Sequence, residues 1–401
     1  MSTNRRRAVV IGAGIAGLST ALRLRQAGWD VVVVERTPSR RSGGYAVAFA
    51  GVGYDAAERM GILPELAKRH LTPDRMDYVR PDGRTRFSVP GRTVRALVGE
   101  RSLNLLRGDI EDVLYRAVTA QTPVQAPGQG SGAVEIRFGT SIAGVEQDPD
   151  GVDVMLSDGT VERADLLVGA DGLHSATRRL VLGPEDDVRL DLNHMAGVFT
   201  LDTLPDGVEP GVTASLTDTG RTLAVVSLGP DRAVAFFGYR TDRPMDELAD
   251  GPQVALPRAY GDMGWVAPSV LDQLTRAGSV YFDTISQIVA DSWSQGRVVL
   301  LGDAAWCVTL FAGYGSALAV AGADALGAAL ERHPDDLSAA LREWEAEIRP
   351  EAERKQKLGR QIKGLYTPAG PFGVWLRDLP LRLASWRPVS ALLQRRLQLS
   401  S

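Results

Sequence analysis

Three short motifs in this chain combine glycines with acidic side chains in patterns that suit ligand binding. The first is Gly-Ala-Gly-Ile-Ala-Gly at residues 12–17, and the second is Asp-Gly-Leu-His-Ser-Ala-Thr-Arg at residues 171–178. The third is Gly-Asp-Ala-Ala at residues 302–305, with Gly313 and Gly315 shortly after it. Glycines let a backbone approach phosphate groups closely, and carboxylates accept hydrogen bonds from hydroxyls. Together the motifs predict a site for a large nucleotide-like ligand.

The first motif lies where a strand is expected to turn into a helix. Residues 8–12 form an apolar run typical of a buried parallel strand, and residues 15–27 have the apolar spacing of a helix. A pyrophosphate would lie at the start of that helix, where free N–H groups and the dipole favour an anion. A second strand, residues 31–34, ends at Glu35, whose carboxylate can bind the ribose hydroxyls of an adenosine. The motif alone does not separate FAD from NAD, and a turn that binds nothing is the alternative.

The second motif also follows a short apolar strand. Residues 166–170 lead to Asp171 and Gly172, and ligands in open α/β sheets bind at such carboxyl ends. Arg178 could hold Asp171 or a neighbouring acid through a charge-assisted hydrogen bond. A purely structural connection between a strand and a helix is the alternative interpretation.

The third motif repeats this arrangement at the end of residues 298–301. Asp303 could accept hydrogen bonds from the sugar-alcohol hydroxyls of a flavin side chain. Residues 313–315 open a helix whose N-terminus could stabilise negative charge on a reduced flavin.

Length and composition are those of an ordinary globular protein. The chain has 401 residues, enough for two or three domains, and a net charge of −4 that gives no reason to expect nucleic acid. Its one cysteine, Cys307, leaves no intramolecular disulfide and no cysteine-based metal cluster. No run approaches the roughly 20 apolar residues that span a bilayer, so we expect a cytoplasmic protein without stable membrane insertion.

Between and after the motifs, the sequence predicts helical segments, a surface loop and an antiparallel sheet. Residues 54–70 have the spacing of one helix, and residues 121–132 have the composition of a surface loop. From residue 188 onwards, short β-type segments such as 223–227 and 233–237 alternate with turns, which predicts an antiparallel sheet covering a ligand cavity. From residue 317 onwards the sequence predicts mostly helix, with a break near residues 368–372.

The three motifs in this order resemble the class A flavoprotein monooxygenases, the single-component aromatic hydroxylases, and in particular the compact branch that includes tetracycline-inactivating monooxygenases. The resemblance spans roughly residues 7–345. It implies an α/β fold: a Rossmann-like FAD-binding domain with an inserted antiparallel-sheet substrate domain and C-terminal helices. We therefore expect the FAD-binding domain at residues 1–75, 101–187 and 281–345, a substrate-domain hairpin at 76–100, the substrate-binding β-sheet domain at 188–280, and the C-terminal helices at 346–401.

The resemblance also assigns cofactor-binding residues. The expected set is Gly12, Gly14, Ala16, Gly17, Glu35, Arg36, Arg41, Gly43, Arg107, Asp171, Gly172, Asp303, Gly313 and Gly315. In the family, the positions of Gly12, Gly14, Gly17, Glu35 and Arg36 contact the ADP half of FAD. The segment containing Arg41 and Gly43 passes close to the isoalloxazine ring. Arg107 matches a flavin-contacting arginine, Asp171 and Gly172 match a motif implicated in both FAD and NAD(P)H binding, and Asp303 matches the ribityl contact.

The resemblance implies a chemistry carried by the cofactor, so no catalytic side chain or metal is expected. NADPH or NADH would reduce FAD, molecular oxygen would form a C4a-hydroperoxide, and that species would oxygenate a hydrophobic, aromatic or polyketide-like small molecule. The protein would position the substrate and exclude water, as a monomer or homodimer. Candidate pocket residues are Tyr45, Phe49, Phe237, Phe311 and Tyr314.

Two departures from the family pattern keep other functions open. Residues 306–312 contain no proline, and Tyr314 stands where glutamine commonly precedes the last glycine of the loop. A flavin-retaining, non-redox cyclase acting on a polyene or polyketide is therefore the main alternative. A flavin halogenase fits less well because its Trp-x-Trp-x-Ile-Pro signature is absent, and a nicotinamide dehydrogenase would leave Asp171 and Asp303 unexplained.

Overall fold

The structure is a computed structural model that describes residues 5–40, 44–99, 101–120, 132–229 and 232–385. Its strands are β1 (Arg7–Ile11), β2 (Asp30–Glu35), β3 (Ala46–Ala50), β4 (Arg75–Val79), β5 (Thr85–Pro90), β6 (Ser102–Leu106), β7 (Val134–Phe138), β8 (Ile142–Asp148), β9 (Gly151–Leu156), β10 (Val161–Ala164), β11 (Leu166–Gly169), β12 (Arg189–Leu201), β13 (Val212–Asp218), β14 (Arg221–Ser227), β15 (Ala233–Arg240), β16 (Val280–Ile288), β17 (Ser294–Gln295) and β18 (Val298–Leu300). Its α-helices are α1 (Ile15–Gln26), α2 (Val52–Arg59), α3 (Leu63–Ala67), α4 (Gly91–Val98), α5 (Arg107–Thr119), α6 (Ala176–Leu182), α7 (Pro244–Asp250), α8 (Pro252–Tyr260), α9 (Ala267–Leu274), α10 (Asp303–Trp306), α11 (Gly315–Arg332), α12 (Leu337–Tyr366) and α13 (Pro371–Ser385).

A sheet with the strand order β17-β18-β11-β1-β2-β7 carries all three motifs. From β18 to β7 its strands are parallel, and only β17 pairs antiparallel. Val34, Ile11, Gly169 and Leu300 are paired in one row across the sheet near the carboxyl ends of the strands. Each motif begins within a few residues of this row, so the register brings all of them to one edge.

Both faces of this parallel sheet are covered, as its continuous apolar strands require. One face, with Val10 and Val33, packs in a cluster with residues of α1, α5, α11 and α12. The other face, with Val9 and Val32, packs against the sheet β10-β9-β8. The layered α/β architecture expected from the sequence is confirmed.

A second sheet, in the order β16-β12-β15-β14-β13-β4-β5, is antiparallel except for the β13–β4 pair. Helices α8 and α9 cover one face, where Phe237 packs with Phe199 and Tyr260. On the opposite face, a smaller cluster joins Ile285 to Phe311, which lies just before α11. Only the face of the second sheet opposite α8 and α9 is therefore directed towards the third motif.

The single helix expected over residues 54–70 is wrong, because the chain forms α2 and α3 there. Gly61 adopts a φ of 75°, a left-handed conformation that ends the first helix. The amide of Ile62 then donates to the carbonyl of Ala57 at 3.0 Å, which closes the helix end. Most of the loop expected at 121–132 lies outside the described residues, and the expected break in the C-terminal helices falls between α12 and α13.

Two glycines of the first motif are required by close backbone packing. A Cβ atom on Gly12, whose φ is 104°, would lie 2.5 Å from the carbonyl oxygen of Ala170 in the second motif. A Cβ atom on Gly17 would lie 1.8 Å from the carbonyl oxygen of Gly12, where α1 crosses the end of β1. Only glycine lets the helix start so close to the strand.

We therefore expect Gly17→Ala to lower the free energy of unfolding by about 1–3 kcal/mol, because the new methyl group forces α1 away from β1. Urea denaturation followed by circular dichroism measures this change. Gly278→Ala is the matched control, because nothing lies within 4 Å of a Cβ at that exposed glycine. Equal stability of the two variants would contradict the proposed packing role.

Candidate active site

Gly14, the middle glycine of the first motif, faces a cleft rather than the core. A Cβ there would meet only the Arg107 guanidinium at 3.7 Å and the Glu111 carboxylate at 3.8 Å. Gly14 and Ala16 line the cleft beside the start of α1. Since Gly14 has no side chain that could cap this helix, the positive end of α1 is directed at the cleft.

Glu35 is fixed beside this turn. Its Oε2 accepts a hydrogen bond from the amide of Ala13 at 2.9 Å, and its Oε1 accepts from the amide and the hydroxyl of Thr37, both at 2.9 Å. Arg36 follows it with an exposed side chain. These hydrogen bonds fix the orientation of the Glu35 carboxylate beside the turn.

In the second motif, the Asp171 carboxylate accepts hydrogen bonds from residues that follow it in the chain. Its Oδ1 accepts from the hydroxyl of Ser175 at 2.5 Å, and its Oδ2 accepts from the amide of Thr177 at 3.0 Å. Gly172, with a φ of 81°, lines the cleft immediately after it. The aspartate therefore stabilises the start of α6 and fixes the glycine that borders the cleft.

Arg178 joins the second motif to the third. Its side chain is fully buried and donates to the carbonyl of Ala304 at 2.9 Å and to that of Leu173 at 2.7 Å. It also forms an ion pair with Glu185 at 3.1 Å, so its acidic partner is this neighbour. Burial lowers the pKa of Arg178, an effect that the Glu185 carboxylate opposes.

Asp303 is the first residue of α10, and its side chain is exposed to the cleft. Burial raises the pKa of this carboxyl group, and the positive charge of Arg107 opposes the shift. Arg107 is itself paired with Glu111 at 2.7 Å. Gly313 and Gly315 line the same cleft at the start of α11. Hydrogen-bond acceptors, a cation and a helix N-terminus thus surround one space.

That space has a volume of about 900 Å³, part of it open to solvent. Aromatic rings form much of its wall: Tyr45 and Tyr281 have centroids 5.6 Å apart and ring planes inclined at 54°. Tyr314 lines it as well. The remaining wall is apolar or hydroxylic and includes Val47, Leu173, Leu310, Thr284 and Ser286.

The structure separates the five expected pocket residues. Tyr45 and Tyr314 line the cleft, whereas Phe49 is buried in the cluster that covers the parallel sheet. Phe237 packs on the far side of the second sheet, and Phe311 is buried behind the cleft wall. Strand β16 supplies Tyr281, Thr284 and Ser286, which sequence reasoning missed because no local signal shows which part of a strand meets a distant site.

Arg41 and Gly43 lie outside the described residues. Among the residues that are described, no group of three or more histidine, cysteine, aspartate or glutamate side chains is arranged to hold a metal ion. Nor does any helix in these ranges combine the length and apolar character needed to cross a membrane.

Comparison with known proteins agrees with this geometry. The family described as "FAD binding domain" matches residues 5–353. An uncharacterized protein of Mycobacterium tuberculosis is 34% identical over 358 residues, covering 87% of this chain and 91% of its own length. A flavin-dependent monooxygenase of Legionella longbeachae is 28% identical, covering 88% and 87% of the two chains. The crystal structure of tetracycline destructase Tet(51) superposes with a TM-score of 0.80 at 25% identity, covering 99% of this chain and 97% of that chain.

The residues around the cleft fit FAD. Side chains at Gly12 and Gly17 would fill the turn, the carboxylates of Glu35 and Asp303 can accept hydrogen bonds from hydroxyl groups, and two helix N-termini face the cleft. The family match covers most of the chain, and its relatives include flavin-dependent monooxygenases. The chain therefore belongs to the FAD-binding-domain family of class A flavoprotein monooxygenases, and it is an FAD-dependent oxidoreductase.

Proposed function

We propose that this monooxygenase takes electrons from NADPH or NADH and oxygenates a hydrophobic, aromatic or polyketide-like small molecule. The observation that carries this proposal is the position of the cleft. Its wall of Tyr45, Tyr281 and Tyr314 continues directly into the edge of the parallel sheet, where Gly172 and Asp303 lie. A flat apolar ligand would therefore contact aromatic rings beside the cofactor. The similarity to a destructase named for tetracycline supports a polycyclic substrate.

We assign the residues around the cleft to the separate parts of FAD and to the approach of the nicotinamide nucleotide. The pyrophosphate of FAD lies beside Gly14 and Ala16, and Glu35 accepts hydrogen bonds from the adenosine ribose, with Arg36 reaching the same half of the molecule from outside. Asp303 accepts from the ribityl hydroxyls. Gly313 and Gly315 place the start of α11 at the flavin ring, and Arg107 adds a positive charge there. Asp171 and Gly172 form the border between the cofactor and the approach of the nicotinamide nucleotide.

Bound FAD supplies the redox chemistry, by which two electrons from NAD(P)H reduce molecular oxygen, one oxygen atom entering the substrate and the other forming water. The chain's own residues contribute position and environment. Tyr45 and Tyr281 exclude water from the substrate side of the cleft, and the positive charge of Arg107 with the α11 N-terminus favours negative charge on the cofactor side.

Glu35→Gln tests the assignment of the ribose contact. We expect FAD to bind about 10- to 100-fold more weakly, because a charged acceptor is replaced by a neutral amide of the same shape. Titration of the flavin-free protein, followed by quenching of flavin fluorescence, gives the dissociation constant. Glu146→Gln, a change at an exposed glutamate, is the control and should bind FAD like the parent protein. Unchanged affinity in Glu35→Gln would contradict the ribose assignment.

The reaction itself is tested by adding NADPH, and separately NADH, to the FAD-loaded protein without oxygen. We expect loss of the oxidised-flavin absorbance at about 450 nm, and acceleration of that loss by at least one member of a panel of aromatic and polyketide ligands. Admission of ¹⁸O₂ should then give a product that carries one labelled oxygen atom. Product formed in H₂¹⁸O under unlabelled O₂ is the control and should carry no label.

Tightly bound FAD that neither nucleotide reduces, whatever ligand is present, would contradict the proposal. If such a protein still converted a polyene or polyketide without consuming oxygen, the non-redox cyclase would be the correct function.

A further inference from the structure

The loop between α10 and α11 forms one wall of the FAD cleft, and its shape is not set by its own sequence. Cys307, Thr309 and Leu310 line the cleft, and no proline stiffens residues 306–312. Thr309 has a φ of 90°, which is unusual for a β-branched residue. Such a conformation persists only where surrounding contacts hold it. Contacts from outside the loop must therefore fix its shape.

Helix α12 provides part of this support through Gln356. The side-chain amide of Gln356 donates to the carbonyl of Ile288 at 2.7 Å and lies 3.3 and 3.4 Å from the carbonyls of Trp306 and Cys307. One turn later, a Cβ on Gly359 would lie 2.8 Å from the carbonyl of Val308. The helix thus contacts the loop backbone directly, and the Gln356 amide adds hydrogen-bond donors to its buried carbonyl groups.

Lys355, the preceding residue of α12, contacts the end of the loop. Its ammonium nitrogen lies 3.3 Å from the centroid of the Tyr314 ring, and the lysine is only 9% exposed. Burial lowers the pKa of Lys355, and the Glu351 carboxylate, 3.6 Å away, opposes that shift. A desolvated cation over an aromatic face is a strong form of this interaction.

Tyr314 is the residue through which this contact reaches the cofactor site. It lines the cleft, and it immediately precedes Gly315, the first residue of α11. On its other side its hydroxyl group packs against Gly51, where a Cβ would lie only 2.1 Å from the hydroxyl oxygen. The ring is therefore held between Gly51 and Lys355 where it borders the cleft.

We propose that Lys355 is a positioning residue for FAD, which holds the Tyr314 ring and with it the start of α11 in the shape that receives the cofactor. Lys355 lies two residues beyond the part of the chain that the family model matches, residues 5–353. It compensates for a loop that has tyrosine at position 314 and no proline. The proposal depends on FAD binding and not on the identity of the substrate.

Lys355→Met keeps the length of the side chain and removes its charge. We expect FAD to bind about tenfold more weakly and the visible circular dichroism of the bound flavin to change at saturating FAD. Removing a buried charge should leave the flavin-free fold as stable as before or more stable, since the desolvation penalty disappears. A weaker FAD complex on an equally stable fold separates a positioning role from a merely structural one.

The matched control is Lys357→Met, which removes an exposed lysine from the same helix and should bind FAD like the parent protein. Lys355→Arg retains the cation and should restore the affinity to within about threefold. Because Lys355 acts through Tyr314, the double variant Lys355→Met/Tyr314→Leu should bind FAD no more weakly than the worse single variant.

An FAD affinity of Lys355→Met equal to that of the Lys357→Met control would overturn the proposal, as would simple additivity in the double variant. If Lys355→Met does not fold, the FAD affinities of Tyr314→Phe and Tyr314→Leu test the proposal instead. Phenylalanine keeps the ring over which the cation lies and should retain the affinity, whereas leucine should lose it. Equal affinities of these two variants would also overturn the proposal.

Discussion

The parallel pairing of β18, β11, β1 and β2 is the constraint on which the rest of this molecule depends. Parallel strands in register end together, so the row from Val34 to Leu300 places three distant segments of the chain at one edge. Gly12 closes this arrangement, because its backbone packs directly on Ala170. A cofactor as long as FAD can then be held from several strand ends at once, while the helices and the smaller sheet keep the strands buried.

Two connections extend this constraint to the antiparallel sheet. Arg178 links the second motif to the third through the carbonyl of Ala304, so the two strand ends keep a fixed separation. Strand β16 belongs to the antiparallel sheet yet runs, within a few residues, into the β17–β18 hairpin of the parallel sheet. Its residues Tyr281 and Thr284 therefore face the same cleft as Asp303. The aromatic wall of the cleft and the carboxyl-end edge of the parallel sheet are positioned by one continuous segment.

The sequence was sufficient for the motifs, their order and the α/β layering, because glycine spacing and apolar runs are local signals. It was insufficient wherever the answer depends on contacts between distant segments. The apolar segment 233–237 predicts a strand, but only the packing of α8 shows that Phe237 faces away from the cleft. Gly61 is of a residue type that ends helices, but the prediction of one helix over residues 54–70 followed the apolar spacing instead. Lys355 had no local signal, since its role arises only where α12 passes behind Tyr314.

The central claim is that FAD lies along the carboxyl-end edge of the parallel sheet, with its flavin ring between that edge and β16. A crystal structure of the protein with bound FAD tests it most directly. We expect the pyrophosphate of FAD beside Gly14 and Ala16 and the ribityl chain within hydrogen-bond distance of Asp303. The flavin ring should lie in the cleft lined by Tyr45 and Tyr281. FAD bound at another surface, or a ribityl chain remote from Asp303, would contradict it.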